Sequence, residues 1–142
     1  MSWIDALAEK ARGGVVQAGG GVSRDVIARA ESEIGAFPQD YRRFLAEFGC
    51  MTIGAREIFG LSNEIAHYMD VVKMTLIERQ DSTGFSARGI VIMNDGGGNL
   101  HYLDGSTQGR VGSPVRVFHH DDPGDVETVA LNFADWILGT VK

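Results

Sequence analysis

The chain has 142 residues, enough for one domain with a core of its own and too few for two. Its 44% hydrophobic and 23% charged residues exclude a disordered chain. A net charge of −6 argues against binding to nucleic acid or to an anionic membrane, since both need a basic face.

The chain opens on a helix expected over 2–12, with Trp3, Ile4, Leu7 and Ala11 at helical spacing. The same stretch lacks a basic start followed by a long apolar run, so no secretory leader is expected. The connector "GGVVQAGGGVS" follows, with little promise of regular structure and room for the first helix to move. Ser23 is a natural N-cap for a helix over 23–34, whose apolar face is Val26, Ile27, Ala30 and Ile34 and whose stop is Gly35. "FPQDYRRFLAEFG" is the clearest helix. Pro38 suits its first position, Asp40 its positive end, and Tyr41, Phe44, Leu45 and Phe48 make the buried stripe up to the stop at Gly49. Cys50, the only cysteine, precludes an intrachain disulfide and reads as a small hydrophobe. Two short apolar pieces around Gly54 suggest a hairpin over 51–59. Ile65, Tyr68, Met69, Val72 and Leu76 suggest a helix over 63–79.

"IVIMN" at 90–94 is continuously apolar and β-branched, as in a strand covered on both faces. "NLHYLD" and "PVRVFHH" alternate, and the three strands with short turns read as an antiparallel meander. A last helix is expected over 126–138 from Val126, Val129, Ala130, Phe133 and Ile137, with Trp136 beside that face. No stretch reaches the roughly 18 apolar residues of a membrane span. The order of elements predicts an α+β fold, a single domain with helices packed on a mainly antiparallel sheet. Charge is uneven along it: residues 1–88 carry ten basic and twelve acidic side chains, residues 89–142 three and seven.

The candidate chemistry is sparse. "NDGGGN" at 94–99 lacks the Lys and Ser/Thr of a phosphate-binding loop, and a strand rather than a helix follows it. Asp and Gly tolerate the backbone of a hairpin turn, and that is the better reading. "HHDD" at 119–122 suggests a metal, but adjacent strand residues point to opposite faces, so His119 and His120 cannot readily grip one ion. It reads instead as a polar strand end leading into a Pro123-Gly124 turn. No nucleophile motif occurs. Neither a cofactor nor a metal is expected, and nothing requires an enzyme.

The run "IARAESEIGAFPQDYRRFLAEFG" resembles the entry signature of the SUKH superfamily, the Smi/Knr-type domain. Glu31, Ile34, Gly35, Pro38, Tyr41, Phe44 and Leu45 fall on its pattern. "IFGL" at 58–61 is similar to the family's short strand, "IVIMNDGGGNLHYLD" to its glycine-bearing hairpin, and "VALNFADWI" at 129–137 to its closing helix. Phe48-Gly49-Cys50, where Asn-Gly-Gly is common, and Phe37, where Leu is usual, depart from the pattern. The resemblance places residues 1–22 as an N-terminal helix and glycine-rich connector ahead of a Smi/Knr-type domain over 23–142. It implies a non-enzymatic cytoplasmic immunity protein that binds a cognate secreted toxin, or else an interaction module with an endogenous partner. An acidic inhibitor suits a basic toxin, and nucleic acid and membrane are not expected partners. The residues expected to face the partner are Asp95, His101, Tyr102, Asp104, His119, Asp121 and Asp122.

Overall fold

The structure, a computed structural model, describes residues 2–14, 16–63, 69–104, 113–122 and 126–141. Among the described residues, five helices accompany two antiparallel sheets: α1 (Trp3–Arg12), β1 (Val16–Ala18), α2 (Arg24–Ile34), α3 (Gln39–Glu47), β2 (Met51–Ile53), β3 (Arg56–Ile58), α4 (Val71–Asp81), β4 (Gly89–Asn94), β5 (Leu100–Asp104), β6 (Val115–Phe118), β7 (Val126–Ala130) and α5 (Phe133–Thr140). The sheets run β1-β2-β3 and β4-β5-β6-β7. They adjoin where the Phe59 N–H donates to the Ile92 carbonyl at 2.8 Å. This is the α+β architecture expected.

Helix starts are dictated locally. Ser2, Ser23, Asp70 and Asn132 each accept a first-turn N–H and satisfy a donor that the helix itself leaves unpaired. The stripe of α3 is buried as its spacing predicts, with Tyr41, Phe44 and Leu45 fully enclosed. Glu31 ties α2 to the start of α3: its carboxylate accepts the Phe37 N–H at 2.7 Å and pairs with Arg42 at 2.7 Å. Asp40 does the same for α5. Its carboxylate accepts the Tyr41 N–H at 2.9 Å and the Ala134 N–H at 3.1 Å, joining two helix N-termini. Burial pushes the Asp40 carboxyl up, against the pull of those N–H groups.

The core centres on Phe133, whose ring meets Trp3, Tyr41, Phe44 and Trp136 at centroid distances of 5.0–6.2 Å. Burying each such ring contributes about 1.5–3 kcal/mol. The buried Tyr41 hydroxyl donates to the Phe59 carbonyl at 2.7 Å, so the most enclosed aromatic leaves no polar atom unmatched.

Four expectations are corrected. Beyond residue 15 the glycine-rich connector is built into the fold: Val16–Ala18 pairs with β2, a Cβ at Gly19 would meet the Cys50 Sγ, and Gly21 lies against backbone. A Cβ at Gly21 would overlap the Ala46 carbonyl oxygen, so glycine here permits close packing rather than motion. The helix α1 is likewise held, with Leu7 fully buried. The helix expected over 63–79 begins at Val71, after the Asp70 cap, and ends at Asp81; residues 64–68, with Ile65 and Tyr68, lie outside the described residues. Its buried residues are Val71 and Thr75, and Leu76, expected on the inner face, is exposed. Thr75 faces inward because its hydroxyl accepts the Val91 N–H at 3.0 Å at the edge of β4. Finally, the helix expected over 126–138 is a strand and then a helix. Val126–Ala130 pairs with β6, and α5 starts at Phe133. The spacing of Val126, Val129 and Phe133 imitates a helix, but "VETV" is rich in β-branched residues and a free sheet edge was there to receive it.

Candidate functional site

A cleft of about 570 Å³ opens between the β2–β3 turn, the β4–β5 hairpin, the end of β7 and α5. Its walls carry Arg56 and Glu57 from β3, Asp95 from the hairpin turn, His101 from β5, Val129 from β7, and Asp135 and Trp136 from α5. Three residues that bear carboxylates and one that bears a guanidinium thus line it.

The hairpin turn is built by its own side chains. The Asp95 Oδ1 accepts from the Gly97 N–H at 2.9 Å and the Asn99 N–H at 3.2 Å, and the Asp95 N–H closes the loop on the Asn99 carbonyl at 3.1 Å. Gly96 and Gly98 take φ of +87° and +89°, the left-handed region. The ring of His120 lies over Gly98, where a Cβ would meet it at 2.7 Å. The corner reading of "NDGGGN" therefore holds, and the last glycine also seats the start of the β6–β7 connection. Burial acts against the Asp95 carboxylate, but the Gly97 and Asn99 donors and nearby His101 outweigh it and hold its pKa below the usual value. Asp95 is a fixed negative charge at the mouth of the cleft.

His101 forms the floor. The Trp136 Nε1–H donates to its Nδ1 at 3.3 Å, with ring centroids 5.8 Å apart. An Nδ1 that accepts carries no proton, so the ring is neutral with its proton on Nε2. Burial pushes the His101 pKa down; Arg56 and His119 act the same way, while Asp95 and Glu127 oppose them. On α5, Asp135 donates its N–H to the Asn132 Oδ1 at 2.8 Å and accepts from the Asn132 Nδ2 at 3.3 Å, which anchors the cleft's third carboxylate at the start of the helix.

The residues expected to face a partner divide. Asp95 and His101 line the cleft. His119 lies beside them, its Nε2 3.7 Å from the Glu127 carboxylate of β7. Tyr102 does not join them: successive strand residues point to opposite faces, and its ring packs edge-on against Phe85 at 5.1 Å. Burial pushes its hydroxyl pKa up. Asp104 is at the far end of β5, roughly 10 Å along the strand from His101. There its N–H donates to the Ser113 Oγ at 3.3 Å. Asp121 pairs with His120 at 3.0 Å, and the Asp122 N–H closes a turn on the His119 carbonyl at 3.1 Å. The Pro123-Gly124 turn expected next lies outside the described residues. His119 and His120 thus serve different carboxylates, and among the described residues no group of three or more His, Cys, Asp or Glu is placed to hold a metal.

Sequence reasoning missed Arg56, Glu57 and Asp135 and left Trp136 at the margin of a helix face. One signal was available. "NFAD" at 132–135 has the spacing of an N-cap with a first-turn carboxylate, which would have begun the helix at Phe133 and put Asp135 at its mouth.

A family model described as SUKH_6, SMI1-KNR4 cell-wall, matches residues 24–137, more than three-quarters of the chain. No curated protein matches it. Among the described residues no helix is long and apolar enough to cross a membrane.

Proposed function

The chain belongs to the SMI1-KNR4 (SUKH) family, and from that premise we propose that it is a non-enzymatic immunity protein that neutralises a cognate secreted toxin by direct binding in the cytoplasm. The observation that carries this reading is the cleft, lined by Glu57, Asp95 and Asp135 together with Arg56 and His101, beside an exposed strand. Such a surface suits the basic substrate-binding region of a nuclease-type toxin, because opposite charge accelerates encounter and fixes orientation. The polar groups are also committed in ways that favour binding over turnover. Asp95 is tied to backbone N–H groups, the His101 Nδ1 to Trp136, and the Thr140 hydroxyl to the Trp136 carbonyl at 2.9 Å.

Co-expression with the secreted protein encoded beside the gene tests the proposal. Cells are expected to survive the neighbour only when this chain is present. A harmless neighbour, or one that stays toxic beside this chain, sinks the reading. Raising salt from 50 to 500 mM is expected to weaken the complex.

The cell-wall description of the matching family favours a second reading, an interaction module with an endogenous partner. A stoichiometric complex recovered from host cells in which the neighbouring toxin gene is deleted would support it.

A further inference from the structure

We propose that the groove between α2 and α3 is a second binding surface, which takes a short acidic segment of a partner protein and seats its carboxylates on Arg24 and Arg43. The groove shares no residue with the cleft, and its binding does not depend on the immunity role.

The first observation is the groove and its lining. It encloses about 470 Å³ and is lined by Arg24, Ile27 and Glu31 from α2 and by Arg42, Arg43 and Ala46 from α3. On α2 these residues recur at i, i+3 and i+7, and on α3 at i, i+1 and i+4, so each helix contributes one face. Two apolar residues and three arginines thus line one groove.

The second is which of these charges are already matched. Glu31 is committed: its Oε2 accepts the Phe37 N–H at 2.7 Å and the Arg42 Nε and Nη2 at 3.0 and 2.7 Å. That pairing satisfies Arg42 within the fold. Arg24 and Arg43 are exposed, and among the described residues neither has an ion pair or a side-chain hydrogen bond. Two unmatched guanidinium groups remain, one from each helix.

The third is sign. The chain as a whole carries −6, yet three basic residues line this groove against one acidic. An arginine presents a planar fork of donors that fits a carboxylate with two hydrogen bonds. Arginine is also among the residues that dominate interface energies. Charge and scale select the occupant. A nucleic-acid strand carries a continuous run of phosphates, and it would be drawn past Asp25 and Glu47, the exposed chain neighbours of Arg24 and Ala46. A second copy of this chain would bring its whole net −6 against another −6. A short acidic segment brings only its own carboxylates, and one apolar side chain among them suits Ile27 and Ala46.

The test is a displayed library of random twelve-residue segments, selected on the full-length protein, with the enriched segments then made as dye-labelled peptides. These are expected to carry at least two Asp or Glu residues and one large apolar residue, and to bind more weakly as salt is raised. Affinity is expected to fall about tenfold in Arg24→Glu and in Arg43→Glu, one on each helix, and in Ala46→Glu, which adds a carboxylate at an exposed helix position. Circular dichroism should be unchanged, since neither arginine has a partner to lose. Asp135→Asn, in the cleft, should leave the affinity as it was. No enrichment, enriched segments without carboxylates, or binding that survives the three groove variants would overturn the proposal. So would a twenty-nucleotide single strand that binds the wild type and is lost in the same variants, or a wild-type dimer that Arg43→Glu dissociates.

Discussion

The two ends of the segment 126–140 behave as opposites. At Phe133 the chain enters the most enclosed part of the molecule, where four aromatic rings meet one and Asp40 closes the helix start. A few residues earlier, β7 exposes nearly everything it has. Ring contacts gather in the first region, and among the described residues no buried side-chain N or O lacks a hydrogen-bond partner. The second contributes little apolar burial, and that leaves its side chains free to be chosen for something other than folding. The contrast separates residues that make the fold from residues that use it.

Breaking the enclosed side should have the largest effect. Phe133→Ala removes the ring at the centre of the aromatic cluster and is expected to cost about 3–5 kcal/mol, read as a lower midpoint in urea unfolding. Asp40→Ala leaves the Tyr41 and Ala134 N–H groups without their acceptor and should cost about 1–3 kcal/mol. Asp40→Asn keeps an acceptor and buries no charge, so it should cost less than Asp40→Ala in the same unfolding series; an equal loss would show that the charge itself matters.

Gly98→Ala tests the hairpin at the border between the two regions. It strains a positive φ and pushes on the His120 ring, and a loss of about 1–3 kcal/mol is expected by thermal melting.

The cleft itself should respond to pH more than to truncation. His101 faces Asp95, Arg56, His119 and Glu127, and burial leaves its folded pKa below the unfolded value of about 6.5. The unfolded chain therefore binds this proton more tightly. The stabilising contribution is complete above pH 6.5 and is lost as pH falls through the folded pKa. Trp136 fluorescence should change over the same window as its hydrogen bond to Nδ1 is lost, and both signals should flatten in His101→Gln. At the exposed extreme, Leu131→Ala should shift stability by no more than about 0.5 kcal/mol. A larger loss in chemical denaturation would mean that the edge is part of the core after all.

Much of the enclosed region was legible beforehand. The stripe Tyr41, Phe44, Leu45, Phe48 and the glycine stop after it are local signals, and local signals act wherever the segment sits. The corner at "NDGGGN" was legible for the same reason: a turn is decided by what its own residues tolerate. The cleft was mostly not legible. Asp95 and His101 could be singled out, but Arg56 and Glu57 reach it from β3 and Asp135 from α5, and no local pattern marks that convergence.

By itself, then, the sequence determined the Ser23 cap, the aromatic stripe, the meander and the family resemblance, because each depends on residues close in the chain. Tertiary structure decided the rest. It turned "VETVA" into a strand because a sheet edge was available, and packed the glycine connector where two backbones had to approach. It also faced Tyr102 away from His101, because alternation on β5 gives neighbouring residues opposite sides of the sheet. Each of these outcomes depends on a partner distant in sequence, and that partner is present only once the chain has folded.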